Sequence, residues 1–384
     1  MNARWVGASG VALCMVATAT AARAELPNTI VWTAYQINTA GYGQAVAVGS
    51  ALKNNVGKTL RVLPGKNDLS RLAPVREGKA DFSANGIGTY MSQEGAFEFA
   101  IPAWGPQKTR LLAINIGKNC MSVMIAGDLG VETPYDLKGR RAAIIKAAPG
   151  LNYNLYAYLR FGDLEWEDTQ RIEFPSSAAS TDSIVQGQAD VAFTSTVSGS
   201  PLKLEASNRG ITWPRLPHDD EAGWERMLAA APYYVKHTCT EGVAIGEDKP
   251  LEGATYPYPV LMAYDDKDTD QVYAMTKTMQ DLYEHYKDSA PGAGGWALEN
   301  QQFEWVVPFH EGAIRYYQEV GVWTPEYQAH NDGLVERQDL LAAAWEEYSA
   351  AAQGKSEADF QKGWQSARVE ALKAGGMPVV WPEW

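Results

Sequence analysis

The sequence is poor in cysteine, with three among 384 residues. Cys14 lies in an N-terminal apolar run typical of a cleaved signal, so only Cys120 and Cys239 are expected in the mature chain. Two cysteines are too few for a fold built on disulfides, and they do not form a paired metal motif. They form either one bridge in an oxidising compartment or two free thiols, and the sequence leaves both open.

Long apolar runs are absent after the first 24 residues. Arg4 is followed by an apolar run and then by ARA before Glu25, which is typical of a secretory signal cleaved after Ala24. Leu13 before Cys14 is not the small residue that a lipoprotein signal requires. No later stretch approaches the roughly 20 apolar residues of a membrane helix. We therefore predict a mature periplasmic protein that begins at Glu25.

Positive charge is also scarce, with 33 lysines and arginines against 46 aspartates and glutamates and a net charge of −13. The predicted signal contains arginines and no acid, so the mature chain is more acidic still. Nucleic acid is therefore a poor partner. The mature length exceeds that of most single hydrophobic cores, which predicts two domains or lobes.

The motifs of common catalytic and cofactor sites are missing. Val46 stands where a dinucleotide-binding fingerprint needs its third glycine, and neither a P-loop nor a G-x-S-x-G motif occurs. The histidines are separated from one another in the sequence: His218, His237, His285, His310 and His330. We therefore expect no cofactor, no metal site and no catalysis.

Short apolar or β-branched runs alternate with helical patterns from residue 29 to about residue 320. This alternation predicts an α/β fold with mainly parallel strands. EGKADFSA (77–84) and QGQADVAF (186–193) share Gly-x-Ala-Asp before a strand, with similar surroundings in both halves. The repeat favours two similar lobes with a cleft between them.

Four strand-to-helix turns are rich in Gly, Ser, Thr and Asn: NTAGYG (38–43), ANG (84–86), APGLN (148–152) and TSTVSGS (194–200). In open α/β sheets, ligands lie beyond the carboxyl ends of the strands, where helix N-termini attract anions. Two turns fall in each expected lobe, which indicates a site for a small acidic molecule. The turns and their neighbours supply these candidate contacts: Tyr35, Tyr42, Asn85, Lys66, Lys146, Asn152, Tyr153, Thr194, Ser195 and Ser198.

The alternative for each turn residue is a purely structural role. Asn152 and Ser200 are suited to N-cap positions, with Pro201 at the first position of a helix. The tyrosines are typical of core positions as well as of binding sites.

PFHEGAIRYYQEVG (308–321) places a histidine, a glutamate and an arginine close together. If Pro308 opens a helix, then Glu311, Arg315 and Glu319 share one face, which predicts an exposed ladder of ion pairs. The alternative is a catalytic trio. We favour the helix, with His310 helping to begin it.

These motifs together resemble the TAXI class of solute-binding proteins of TRAP transporters. The resemblance covers most of the chain and rests on NTAGYG, REGKADFSANG, PYDLKGRRAAI, VQGQADVAF, GATYPYP and above all PFHEGAIRYYQEVG. It implies a two-lobed periplasmic binding protein of type II that closes on a dicarboxylate or glutamate-like acid and delivers it to a TRAP membrane permease. Leu151 and Asn152, in place of a Gly-Ser-Gly type of turn, depart from the family pattern.

The resemblance also assigns regions. It implies a first lobe of residues 25–117 and 246–335, a second lobe of residues 118–245, and a helical C-terminal extension, residues 336–384, after the signal of residues 1–24. It places ligand contacts at Asn38, Thr39, Gly41, Tyr42 and Asn85, opposite the 149–153 turn and Thr194 to Ser198. A secreted enzyme of the same fold and a ligand-presenting subunit of a membrane sensor are the alternative functions.

Overall fold

A computed structural model describes Met1, residues 25–146 and residues 148–384. The predicted signal peptide and its cleavage site therefore lie almost entirely outside the described residues. Within the described part of the chain, no helix combines the length and apolar character needed to cross a membrane.

The strands of the described residues fall into two sheets of five and one of two. They are β1 (Thr29–Ala34), β2 (Thr59–Pro64), β3 (Phe82–Asn85), β4 (Thr109–Ile114), β5 (Met121–Ala126), β6 (Arg141–Ile145), β7 (Gln170–Phe174), β8 (Val191–Ser195), β9 (Ile211–Thr212), β10 (Val235–Cys239), β11 (Leu251–Thr255) and β12 (Val260–Tyr264). The first sheet has the order β2-β1-β3-β12-β4 and the second β7-β6-β8-β5-β9, while β10 pairs with β11.

Helices connect and cover these sheets. They are α1 (Ala40–Val56), α2 (Asp68–Arg76), α3 (Gly88–Glu94), α4 (Pro149–Phe161), α5 (Ser177–Val185), α6 (Gly199–Glu205), α7 (Glu221–Ala230), α8 (Thr269–Asp281), α9 (Tyr283–Tyr286), α10 (Glu311–Glu319), α11 (Pro325–Ala351) and α12 (Glu357–Ala374). The part of the chain around the first sheet is called the first lobe below, and the part around the second sheet the second lobe. The predicted two-lobed α/β fold is confirmed.

Both sheets are built in the same way. In the first sheet, β2, β1 and β3 are parallel, and β12 lies antiparallel beside β3. In the second, β7, β6 and β8 are parallel, and β5 lies antiparallel beside β8. Strands β5, β8 and β12, and β4 at one edge of the first sheet, are buried along their whole length, in keeping with their largely apolar sequences. The edge strand β2 is at most half-buried.

The Gly-x-Ala-Asp repeat has one structural role in both lobes. Asp81 accepts a hydrogen bond from the backbone N–H of Val31 in β1 at 2.8 Å, and Asp190 accepts one from Arg141 in β6 at 2.9 Å. Asp81 thus fixes the start of β3 against β1, and Asp190 fixes the start of β8 against β6. The preceding glycines adopt positive φ angles, +66° at Gly78 and +72° at Gly187, which favour glycine.

The two lobes are joined by the segment from β4 to β5 and by the segment that returns through β10 and β11 to β12. Cys120 lies at the end of the first segment and Cys239 at the end of β10. They form a disulfide with a Cα–Cα distance of 5.6 Å. The bridge therefore links the two connections between the lobes.

The C-terminal region packs on the first lobe and reaches the second. Ser356 caps α12 by accepting a hydrogen bond from the N–H of Asp359 at 3.2 Å. The buried Glu94 of α3 binds Arg337 of α11 and Arg368 of α12. Helix α11 is continuous across residues 335 and 336, where the sequence resemblance implied a boundary.

The PFHEG segment forms a helix, but its details differ from the prediction. Helix α10 begins at Glu311, after Pro308, and His310 is its N-cap: Nδ1 accepts the Gly312 N–H at 3.1 Å. The predicted ladder is wrong, because Arg315 pairs with Asp270 of α8 at 2.8 Å. Glu319 instead accepts a hydrogen bond from Tyr273. Contacts with α8, which local spacing cannot reveal, replace the contacts within α10.

Candidate functional site

The two lobes meet through the turns that follow their parallel strands. The carbonyl oxygen of Asn38, before α1, accepts a hydrogen bond from the N–H of Gly199, at the start of α6, at 3.1 Å. Nearby, Oε1 of Gln36 accepts one from the N–H of Ala178 in α5 at 3.3 Å. Because these turns lie at the carboxyl ends of strands in both sheets, the site has the position that ligands take in open α/β folds.

A cavity of about 560 Å³ lies beside this contact, and we call it the turn cavity. Its lining includes Asn38 and Thr39 from the first lobe and Ser198 from the second. Its lining also includes Gly242, which follows β10, and Pro291, which follows α9. Thr39 is the N-cap of α1, and its hydroxyl accepts from the N–H of Tyr42 at 3.4 Å. The turn cavity therefore brings together three of the predicted ligand contacts.

A buried charged cluster lies between the lobes. Asp68, the first residue of α2, is 1% exposed, and its Oδ1 accepts from the Tyr35 hydroxyl at 2.8 Å and from Arg71. The Arg71 guanidinium lies 3.4 Å from the centre of the Tyr35 ring. The second oxygen, Oδ2, accepts from the N–H of Gly150 in α4 at 3.1 Å. A carboxylate of the first lobe thus binds the N-terminus of a helix in the second.

The charges of this cluster depend on one another. Burial raises the pKa of Tyr35 well above its ordinary value, and the charge of Asp68 raises it further, so the phenol stays protonated and donates. Burial alone would lower the pKa of Arg71, but the charge of Asp68 and the hydrogen bond with it help to raise that pKa above the ordinary value. The guanidinium therefore remains charged although it is 1% exposed.

Two more predicted residues lie close to this cluster. Asn85 is fully buried at the end of β3; its Oδ1 accepts from the Gly86 N–H at 2.8 Å, and its Nδ2 has no hydrogen-bond partner among the described residues. A Cβ at Gly41 would lie 3.2 Å from the Tyr258 hydroxyl, and one at Gly86 would lie 2.9 Å from the Tyr258 ring. Tyr258 therefore fits against two turns because both have glycine at the contact.

Asn152 and Tyr153 lie elsewhere, in a second cavity of about 560 Å³ that we call the aromatic cavity. The Asn152 side chain bonds to both the N–H and the carbonyl of Ile145, each at 2.8 Å. It therefore closes the turn after β6 and does not cap α4, whose N-cap is Ala148. Ser200 is likewise not a cap, since Ser198 holds that position in α6.

The remaining predicted contacts are dispersed. Tyr42 lines a surface groove along α1 and β2, and Lys66 and Lys146 are exposed. Thr194 and Ser195 are buried in β8, where the Ser195 hydroxyl accepts from Asn119 at 3.1 Å. Only part of the predicted set thus lies on a common surface.

Sequence reasoning missed Asp68, Arg71 and Tyr258. The sequence does contain a signal for Asp68 and Arg71, because an acid and an arginine three positions apart at the start of a helix can form an ion pair. Their turn also follows a strand of the first sheet. Nothing in the local sequence distinguishes such a buried pair from an exposed one, because the burying contacts come from Tyr35 and Gly150.

Solved structures with similar folds are distant in sequence. An alkanesulfonate-binding protein from Xanthomonas axonopodis pv. citri, bound to MOPS, is 14% identical and aligns over 86% of this chain and 96% of its own, with a TM-score of 0.45. A periplasmic binding protein from Brucella ovis with glutathione bound is 13% identical over 65% of this chain and 66% of its own, with a TM-score of 0.42. An ancestral arginine-binding protein bound to arginine is 10% identical over 77% of this chain and 99% of its own, with a TM-score of 0.43.

No curated protein matches the chain. The sequence profile of the NMT1-like family does match, over residues 69–321. The matched region begins in α2, includes most of both lobes and ends just after α10.

Proposed function

The chain belongs to the NMT1-like family, and from that premise we propose that it is a solute-binding protein that captures a small organic acid between its two lobes. The resemblance to the TAXI class supports a dicarboxylate or glutamate-like ligand, captured in the periplasm and delivered to a TRAP-type permease. The protein then acts by lobe closure and not by catalysis.

The observation that carries this proposal is the hydrogen bond from the N–H of Gly150, at the start of α4, to the carboxylate of Asp68. The N–H groups of the first helical turn have no partners within the helix, and the helix dipole favours negative charge there. In this protein such a helix end binds a carboxylate, and it does so across the boundary between the lobes. The same chemistry suits the acid group of a ligand.

The turn cavity supplies the second part of the argument. The N-terminus of the long helix α1 lies beside it, and Asn38, Thr39 and Ser198, which carry an amide and two hydroxyls, are among the residues of its lining. These groups form hydrogen bonds with an acid without a full positive charge of their own. Ligand contacts with both lobes stabilise the closed arrangement and shift the population toward it.

Thermal unfolding in the presence of glutamate, 2-oxoglutarate and succinate tests the proposal. A ligand that binds only the folded state at about 100 times its Kd adds about 2.7 kcal/mol to the free energy of unfolding, so the melting temperature should rise. Glucose and maltose serve as neutral controls. A response to the sugars and none to any acid would contradict the proposal.

Variants connect the binding to the site. Asn38→Ala removes an amide from a residue that lines the turn cavity, and Ser198→Ala removes a hydroxyl from the lining residue that the second lobe contributes. Each should weaken acid binding in isothermal titration at least tenfold, while the exposed Asn208→Ala serves as the matched control. The permease type is tested separately, by asking whether uptake into proteoliposomes depends on an ion gradient or on ATP.

A further inference from the structure

Five aromatic side chains form a continuous row along the wall of the aromatic cavity. In order along the wall they are Trp384, Phe97, Tyr153, Tyr156 and Trp166. The centroids of neighbouring rings lie 5.4, 4.9, 5.3 and 5.5 Å apart. All five are half-buried, so the rings contact one another and still reach the cavity. The row is assembled from the first lobe, the second lobe and the C-terminal segment.

Three carboxylates line the same cavity: Glu98, Glu167 and Glu383. Among the described residues, none of the three has a lysine, arginine or histidine nitrogen within 4.0 Å. The single basic residue of the described lining, Arg171, places its guanidinium 5.7 Å from the centre of the Trp166 ring. The lining therefore carries an excess of negative charge, and the guanidinium of Arg171 already lies over an aromatic ring.

Aromatic faces attract cations through the ring quadrupole, and the attraction grows when water is partly excluded. Carboxylates without cationic partners add a Coulomb attraction for the same ligand. We propose that the aromatic cavity binds a small organic cation with an ammonium group, held by the ring faces of the row and by the unpaired carboxylates. This site is separate from the turn cavity proposed for the acid, since the two share no lining residue.

Glu98 supports this assignment. Burial, with a smaller contribution from the nearby charge of Asp68, raises the pKa of this carboxyl to about 7, against the lowering effect of a hydrogen bond from its own backbone N–H. An anion that is costly to bury without a partner is stabilised when a cation binds next to it. Aromatic rows also stack on sugars, but a sugar leaves the three carboxylates without the charge that would offset them.

Isothermal titration with choline and with 3,3-dimethyl-1-butanol tests the proposal. The second molecule has the same shape, with carbon in place of the charged nitrogen. We expect choline to bind at least tenfold more tightly than its neutral isostere. Equal affinities for the two, or binding of maltose and not of choline, would overturn the assignment.

Two variants locate the binding. Trp166→Leu removes a ring of the row and Glu98→Gln removes a charge without a change of shape, and each should weaken choline binding at least tenfold. Trp323→Leu is the matched control, because Trp323 is also half-buried but lies outside the aromatic cavity. Choline affinity that is unchanged in Glu98→Gln, with the fold intact by circular dichroism, would refute the role of the carboxylate.

The same variants separate this proposal from the acid-binding function. Trp166→Leu should leave the affinity for 2-oxoglutarate within a few fold, since that ring is not part of the turn cavity. Asn38→Ala should leave choline binding unchanged for the corresponding reason. Loss of both ligands in one of these variants would contradict the separation of the two sites.

Discussion

At the scale of single residues, two glutamates four positions apart have opposite electrostatic surroundings. Glu94 is fully buried, and although burial alone would raise its pKa, Arg368 and Arg337 hold that pKa below the ordinary value. Glu98 has no such partner among the described residues, and burial raises its pKa to about 7. The sequence shows two acids in similar surroundings, while the tertiary contacts give them different charges near neutral pH.

Glu98 should therefore reduce stability as the pH rises. A carboxyl with a folded pKa of about 7 and an ordinary unfolded pKa binds more protons in the folded state, so its ionisation favours unfolding between about pH 4.5 and pH 7. Glu98→Gln should raise the free energy of unfolding at pH 8 by roughly 1–3 kcal/mol and should matter little at pH 4. Urea unfolding across this pH range measures the effect. A variant less stable than the parent protein at pH 8 would contradict it.

His310 should act on stability and not on ligand binding. It is 1% exposed, and its Nδ1 accepts the Gly312 N–H at the start of α10. His310→Ala should cost about 1–3 kcal/mol through the lost cap and the space left behind. His310→Asn, which keeps a capping acceptor, should recover part of the loss. Affinity for the acid should stay within a few fold, and a hundredfold loss with an unchanged melting temperature would place this histidine in the site.

At the scale of secondary structure elements, the C-terminal segment connects both lobes. Trp381 is 2% exposed and packs against Tyr90 of the first lobe and Tyr153 of the second, with ring centroids 4.9 and 5.8 Å apart. Its indole N–H donates to the carbonyl oxygen of Ala230, at the end of α7, at 3.1 Å. Any movement of one lobe relative to the other must therefore accommodate this segment.

Glu94 anchors that segment, so its charge should be important for stability. Glu94→Gln leaves Arg337 and Arg368 without a carboxylate partner in a buried site, which should cost about 3–5 kcal/mol. The matched control is Asp339→Asn, which breaks an exposed pair with Lys108 and should cost less than about 1 kcal/mol. Urea unfolding of the two variants gives the comparison. Equal losses would show that the buried cluster does not anchor the extension.

The sequence predicted elements better than it predicted their ends. The alternating hydrophobic pattern predicted the alternation of strands and helices that runs from β1 (Thr29–Ala34) to α10 (Glu311–Glu319). The cap at Asn152 and the ladder at Arg315 were wrong, because Ile145 and Asp270 offer those side chains better partners from other elements. The spacing of residues along the sequence does not show which side chains of other elements the fold brings into contact with them.

At the scale of the whole molecule, the repeat of Gly-x-Ala-Asp predicted the paired lobes because Asp81 and Asp190 perform one task in two copies of one arrangement. The candidate site was less accessible to prediction. The turns at Asn38, Thr39 and Ser198 meet as expected for the ends of parallel strands. The Asp68 cluster and the aromatic row depend on contacts between lobes and with the C-terminal segment, and no local pattern encodes these contacts.

The disulfide links the two connections between the lobes, so its loss should affect stability more than binding. Cys120 and Cys239 are fully buried and separated by 119 residues in sequence. Closing so long a loop restricts the unfolded chain, so the double change Cys120→Ala and Cys239→Ala should lower the free energy of unfolding by about 2–4 kcal/mol. Neither cysteine lines the turn cavity or the aromatic cavity, and ligand affinity should stay within a few fold. Thiol labelling of the denatured mature protein without reductant provides the direct check, and two reactive thiols would contradict the bridge.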